Sequence, residues 1–138
     1  MTKVVYNACY GRFGLSKKAC QRYWDIKGQP IWIEDDILDL FTVWLVPPSE
    51  RLEQKEWSSM TVGERHDFNY QYSKHTWRYS NVDRHDPVLV QVVEELGDKA
   101  NGNLAKLCIE EVYGPYSIDE YDGFESVITP ETVIWINP

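Results

Sequence analysis

Between Cys9 and Lys17 the chain sets Gly11 and Gly14 around Arg12 and follows them at once with Ser16 and Lys17, in the order strand formers, glycine loop, helix start. A helix N-terminus presents unpaired N–H groups and a partial positive charge, and glycines let a ligand's oxygens approach the backbone closely. Arg12 adds a bidentate donor, Ser16 a hydroxyl and Lys17 a cation, so this stretch could cradle a phosphate or a carboxylate. The competing reading needs no ligand. In it the glycines serve a tight turn, with Gly14 in a left-handed position where a β-branched residue would harm folding, Ser16 caps the helix, and Lys17 is a solvated charge. The stretch lacks both the longer phosphate-loop pattern and a dinucleotide fingerprint, so spacing alone leaves the two readings open.

A second grouping is Trp77, Arg78 and Arg84, because an arginine beside a stacking ring is a common way to hold a purine or a ribose phosphate. A buried Trp77 with arginines on its rim is the plainer account. His66, His75 and His85 lie among Asp67, Asp83 and Asp86 at spacings that match no familiar zinc motif, and they read as surface histidines. Asp119, Glu120 and Asp122 precede Gly123 without the ligands of a calcium loop, and a hairpin turn explains them. No serine, cysteine or histidine has the local signature of a nucleophile, so the reading leans against an enzyme and calls for no cofactor and no metal.

These residues must be positioned by one domain, since 138 residues suffice to bury about two-thirds of the surface of the extended chain. Cys9, Cys20 and Cys108 are odd in number, form no CxxC pair and lie in apolar runs, so they read as buried thiols. A net charge of −8 repels a phosphate backbone or an anionic membrane. General nucleic-acid binding and membrane association are therefore not expected. No signal peptide and no stretch of membrane-spanning length is recognisable, which points to the cytoplasm. The 6 Trp and 9 Tyr are in excess, and must fill a core or line a binding surface.

The pattern predicts an α/β fold, or α+β, with a central mixed sheet and two main helices packed on it. The strongest unit runs from Asp86 to Ile109. Asp86 caps a helix, Pro87 occupies its first position, Leu89, Val92, Val93 and Leu96 share a face, Gly97 ends it, and Leu104 to Ile109 return as a strand. Lys3 to Cys9 reads as the first strand, and Ser16 opens a helix with Ala19, Cys20, Tyr23 and Trp24 inward, closed by Gly28. Residues 30–36 and Phe41 to Val46 read as extended. Within the polar, less regular middle from 49 to 84, Thr61 and Glu64 have capping-box spacing ahead of a helix from about Val62 to His75. Tyr116 to Tyr121, Asp122 and Gly123, and Phe124 to Ile128 form a hairpin pattern, and Val133 to Ile136 a last edge strand.

Three stretches carry a resemblance: Cys9 to Ser16, Arg84 to Gly97, and Asp119 to Gly123. Together they resemble a widespread group of small bacteriophage and prophage proteins of uncharacterised function, from which Arg12 departs at a position where a second glycine is expected. The resemblance implies a phage source and a role in the cytoplasm of an infected bacterium, and it implies no chemistry. With an acidic, aromatic-rich, enzyme-poor composition, the first expectation is a binding protein that docks on a host protein and interferes with host physiology or defence. The alternative is a sponge that sequesters a small anionic, nucleotide-like signal without catalysis, in a pocket that a second subunit of a homo-oligomer could complete.

Overall fold

The computed structural model describes residues 1–38, 40–51 and 55–130. In chain order the elements are β1 (Thr2–Asn7), α1 (Lys17–Lys27), β2 (Trp32–Asp35), β3 (Phe41–Trp44), α2 (Val62–His75), β4 (Thr76–Trp77), α3 (Pro87–Leu96), β5 (Leu107–Val112), β6 (Ser117–Tyr121) and β7 (Phe124–Ile128). This is a mixed helix-and-sheet, α/β protein. Among the described residues every strand pairing is antiparallel, and the strands divide into three sheets, β1 with β5, β2 with β3 and β4, and β6 with β7. The central mixed sheet of the sequence reading is thus replaced by three small ones: β2 with β3 and β6 with β7 pair with chain neighbours through short connections, while β1 pairs with the distant β5.

The chain forms two compact units, Met1–Lys27 with Tyr79–Pro138, and Gly28–Arg78. In the first, α1 and α3 pack as their sequences dictate. Ser16 caps α1, its Oγ accepting the Ala19 N–H at 3.1 Å, and buries Ala19, Cys20 and Tyr23 beneath it. Asp86 caps α3, with Oδ1 accepting the Val88 N–H at 2.8 Å, and Leu89, Val92 and Val93 turn inward. The same carboxylate ties the helices together, since its Oδ2 accepts the Tyr23 hydroxyl at 2.7 Å and pairs with Lys27 at 3.0 Å. Arg22 grips Glu95 at 2.8 Å on the outer side. Val4 and Val5 of β1 are fully buried, and Val4 joins Val112 and Val127 in a cluster that Tyr6, Tyr116 and Ile118 cover.

Two expectations shift here. The returning strand begins at Leu107, because Leu104 adopts φ +62° and lies in a turn, not in the strand. Only Cys20 among the three thiols is buried, and burial pushes it up to about 12, so it is an inert core group; Cys9 and Cys108 are half-buried. The proposed strand from Val133 to Ile136 lies outside the described residues.

The second unit is held less by aliphatic burial than by aromatic rings. Val43 and Met60 are its buried apolar residues among those described. Trp44 meets Tyr72 edge to face at 5.3 Å, Tyr72 stacks with Phe68, and the Arg51 guanidinium lies 4.2 Å above the Trp44 ring while pairing with Glu34 at 3.0 Å. Thr61 and Glu64 form the expected capping box at the start of α2.

Candidate interaction surface

The glycine loop is where three parts of the first unit converge, and its geometry follows from how closely their backbones approach. The Gly11 N–H donates to the Asp122 carbonyl at 3.1 Å, and the Arg12 N–H to the Leu104 carbonyl at 3.2 Å. The Gly102 N–H donates to the Gly14 carbonyl at 2.9 Å, and the Ser16 N–H to the Ala100 carbonyl at 2.9 Å. A Cβ on Gly123 would stand 1.6 Å from the Gly11 carbonyl oxygen, one on Gly11 2.2 Å from that of Leu104, and one on Gly102 2.6 Å from the Gly14 carbonyl carbon. Glycine is required at these points because backbone lies against backbone.

Gly14 corrects an expectation. It is not among the glycines with positive φ, and a Cβ there would meet Gly102 and Tyr79 at ordinary contact distance, 3.7 Å, so it is not the left-handed position of the turn.

Beneath the junction lies a buried polar hub that sequence reasoning missed. Asn7 is fully buried; its Oδ1 accepts the Lys106 N–H at 2.8 Å, and its Nδ2 donates to the carbonyls of Gly123 at 2.8 Å and Cys9 at 3.0 Å. Its backbone N–H donates to Glu125 Oε1 at 2.8 Å. Glu125, only 6% exposed, also receives a bidentate pair from Arg84 at 2.6 and 2.8 Å, and the Arg84 guanidinium rests 3.5 Å from the Phe13 ring centre. Every side-chain polar atom of Asn7 is partnered, which is the condition under which such a group is tolerated in a core. The signal available beforehand was a polar Asn7 closing the apolar run Val4, Val5 and Tyr6.

The predicted site residues therefore separate. Gly11 and Gly14 line the backbone junction. Ser16 is engaged as a cap, and its hydroxyl also donates to the Lys99 carbonyl at 2.7 Å. Arg84 is turned inward onto Glu125. Arg12 and Lys17 are exposed, and Arg12 has no side-chain partner among the described residues. Trp77 and Arg78 close the second unit, Trp77 half-buried in β4 opposite Val43 and Arg78 exposed. The loop N–H groups of Gly11, Arg12 and Ser16 already donate within the protein, so these three are not free to meet an anion.

The junction also presents aromatic and apolar side chains outward. Tyr10, Tyr121 and Leu104 are 70%, 72% and 61% exposed. The Tyr10 ring lies against Phe124, centre to centre 5.2 Å, and Tyr121 stands directly opposite Phe124 across the hairpin, on the same face. Leu104 is held at a positive φ, a conformation unusual for a bulky residue, with its backbone against Gly11 and its side chain in solvent. Asp119 shares the outer hairpin face with Tyr121, two positions along, and Asp122 occupies the hairpin tip; both carboxylates are exposed and neither is paired among the described residues.

The histidines do not assemble. His85 Nδ1 lies 2.8 Å from Asp83 and 2.6 Å from the Tyr116 hydroxyl, and burial, followed by the Asp83 charge, raises that phenol. His66 and His75 belong to α2 of the other unit. Among the described residues no group of three His, Cys, Asp or Glu side chains could hold a metal ion, and no helix is long and apolar enough to cross a membrane. No protein-family model, no curated protein and no solved structure matches the chain.

Proposed function

We propose that this chain is a phage-encoded binding protein that works in the cytoplasm of an infected bacterium, docking on a host protein through the face formed by Tyr10, Leu104, Tyr121 and Phe124 and so interfering with host physiology or defence. The phage setting rests on the resemblance of the Cys9, Arg84 and Asp119 stretches. The docking face rests chiefly on Leu104, which keeps an apolar side chain in water at the expense of a strained backbone. Strain of this kind costs on the order of 1–3 kcal/mol and clusters at functional sites such as ligand clamps. Tyr10 and Tyr121 supply large, rigid amphipathic contact area beside it, the side-chain type favoured at the centres of protein interfaces.

The test is capture from host lysate by tagged protein, run in parallel with Tyr121→Ser and Leu104→Gly. One stoichiometric protein recovered by the unmodified chain and lost with both variants supports the reading, while identical recovery by all three sinks it. The sponge alternative draws on the exposed Arg12 guanidinium. It requires a melting-temperature rise with some member of a panel of nucleotides, since a ligand at a hundred times its Kd adds about 2.7 kcal/mol.

A further inference from the structure

Resting on that docking face, we propose that it is a receptor for arginine side chains, so that the partner is a protein segment presenting arginine. The surface pairs aromatic faces with unpaired carboxylates. Tyr10, Phe124 and Tyr121 lie together, with Asp119 on the same hairpin face and Asp122 at its tip. Guanidinium groups are attracted to ring faces and are bound most tightly when a carboxylate takes their N–H groups at the same time.

The chain builds this arrangement inside itself. Arg84 sits 3.5 Å from the Phe13 ring centre while Glu125 takes both terminal nitrogens. Arg51 lies 4.2 Å from the Trp44 ring centre while Glu34 takes one. The outer face of the hairpin offers the same two ingredients with no arginine of the described chain between them. A net charge of −8 would draw a basic segment in and raise its association rate at low salt. Lysine fits less well, because its compact, strongly hydrated charge cannot lie flat on a ring while forking onto a carboxylate.

The probe is a short peptide alternating arginine and glycine, titrated calorimetrically into the full chain. Its counterpart has each arginine replaced by citrulline, which keeps the shape and removes the charge. We expect the arginine peptide to bind and the citrulline peptide to bind roughly tenfold or more weakly. Tyr10→Ala should weaken the arginine peptide by roughly threefold or more. The double variant Asp119→Asn with Asp122→Asn should weaken it too, whereas Asp67→Asn on α2 should not. Arg12→Ala is the sharpest arm. An anion site would lose affinity in that variant, but a site for arginine keeps or gains it, because a neighbouring positive charge has been removed.

Equal losses in all the acidic variants would show attraction to overall charge only and overturn the proposal, as would absence of binding or equal binding of the citrulline peptide. The substituted side chains are exposed, and melting curves confirm that each variant is folded. If the arginine peptide fails while Tyr121→Ser and Leu104→Gly still abolish capture of a host protein, the docking face stands and its partner chemistry is wrong. If both fail, the docking face itself is refuted.

Discussion

At Leu104 stability and binding pull in opposite directions. A left-handed backbone is disfavoured for an L-residue with a bulky side chain by about 1–2 kcal/mol, and the side chain gains little in return at 61% exposure. Leu104→Gly should therefore raise stability by about 1 kcal/mol, after allowing for the extra freedom of glycine in the unfolded chain, while removing an apolar anchor from the surface. A higher melting temperature together with lost partner capture is the expected result; a lower melting temperature would mean that Leu104 packs in a way its exposure does not suggest. The glycines of the junction divide just as sharply. Gly123→Ala places a Cβ into the Gly11 carbonyl at a φ of +84° and should destabilise by at least about 2 kcal/mol, whereas Gly14→Ala, with only ordinary contacts to Gly102 and Tyr79 and no positive φ, should change stability by less than about 1 kcal/mol. Denaturant melts of the two variants side by side test this.

Among the elements, α3 begins on an ionised group that also ties it to α1. For Asp86, burial favours the neutral carboxyl, but hydrogen bonds from Tyr23, Lys27 and the Val88 N–H outweigh it and hold the group below its usual value. A carboxylate depressed in the folded state contributes stability that is present above its ordinary range, near pH 4, and lost as pH falls through the depressed value. The unmodified protein should thus lose stability on acidification below about pH 4, and Asp86→Asn, which keeps the cap geometry but no charge, should show a shallower loss over that window. An unchanged slope would assign the acid sensitivity elsewhere. Both caps at Ser16 and Asp86, the capping box at Thr61 and Glu64, the closing glycines and the Asp122 and Gly123 turn were legible in sequence, because each is a local rule linking residues a few positions apart. The start of β5 was not, since alternation and apolarity from Leu104 onward look the same whether or not the first residues are pulled into a turn.

For the whole molecule, charge and aromatic content bound the partner class. An acidic chain with an exposed aromatic face should bind a basic partner with an association rate that falls as salt rises, whereas a nucleotide held by backbone N–H groups and arginine would stabilise the protein at low concentration. With the Gly11, Arg12 and Ser16 N–H groups already engaged, no nucleotide in a thermal panel should shift melting by more than a degree or so. A shift of several degrees that disappears in Arg12→Ala would restore the anion reading. The site residues chosen from sequence illustrate the limit of spacing. Arg84 looked like a ligand arginine because it is one in chemistry; its ligand is Glu125 of the same chain.

The sequence by itself determined the helices, their caps, the hairpin and the excess of carboxylates and rings, since these depend on composition and on neighbours within a turn or two. Only the tertiary structure decided which glycines are indispensable, because that depends on whether another backbone arrives opposite the missing Cβ, as Leu104 does at Gly11 and Gly11 does at Gly123. It alone turned Arg84 inward, made Asn7 a hub and left Tyr10, Leu104 and Tyr121 in solvent. Those outcomes join residues such as Asn7 and Glu125, far apart in the chain, and no local pattern encodes where two distant stretches will meet.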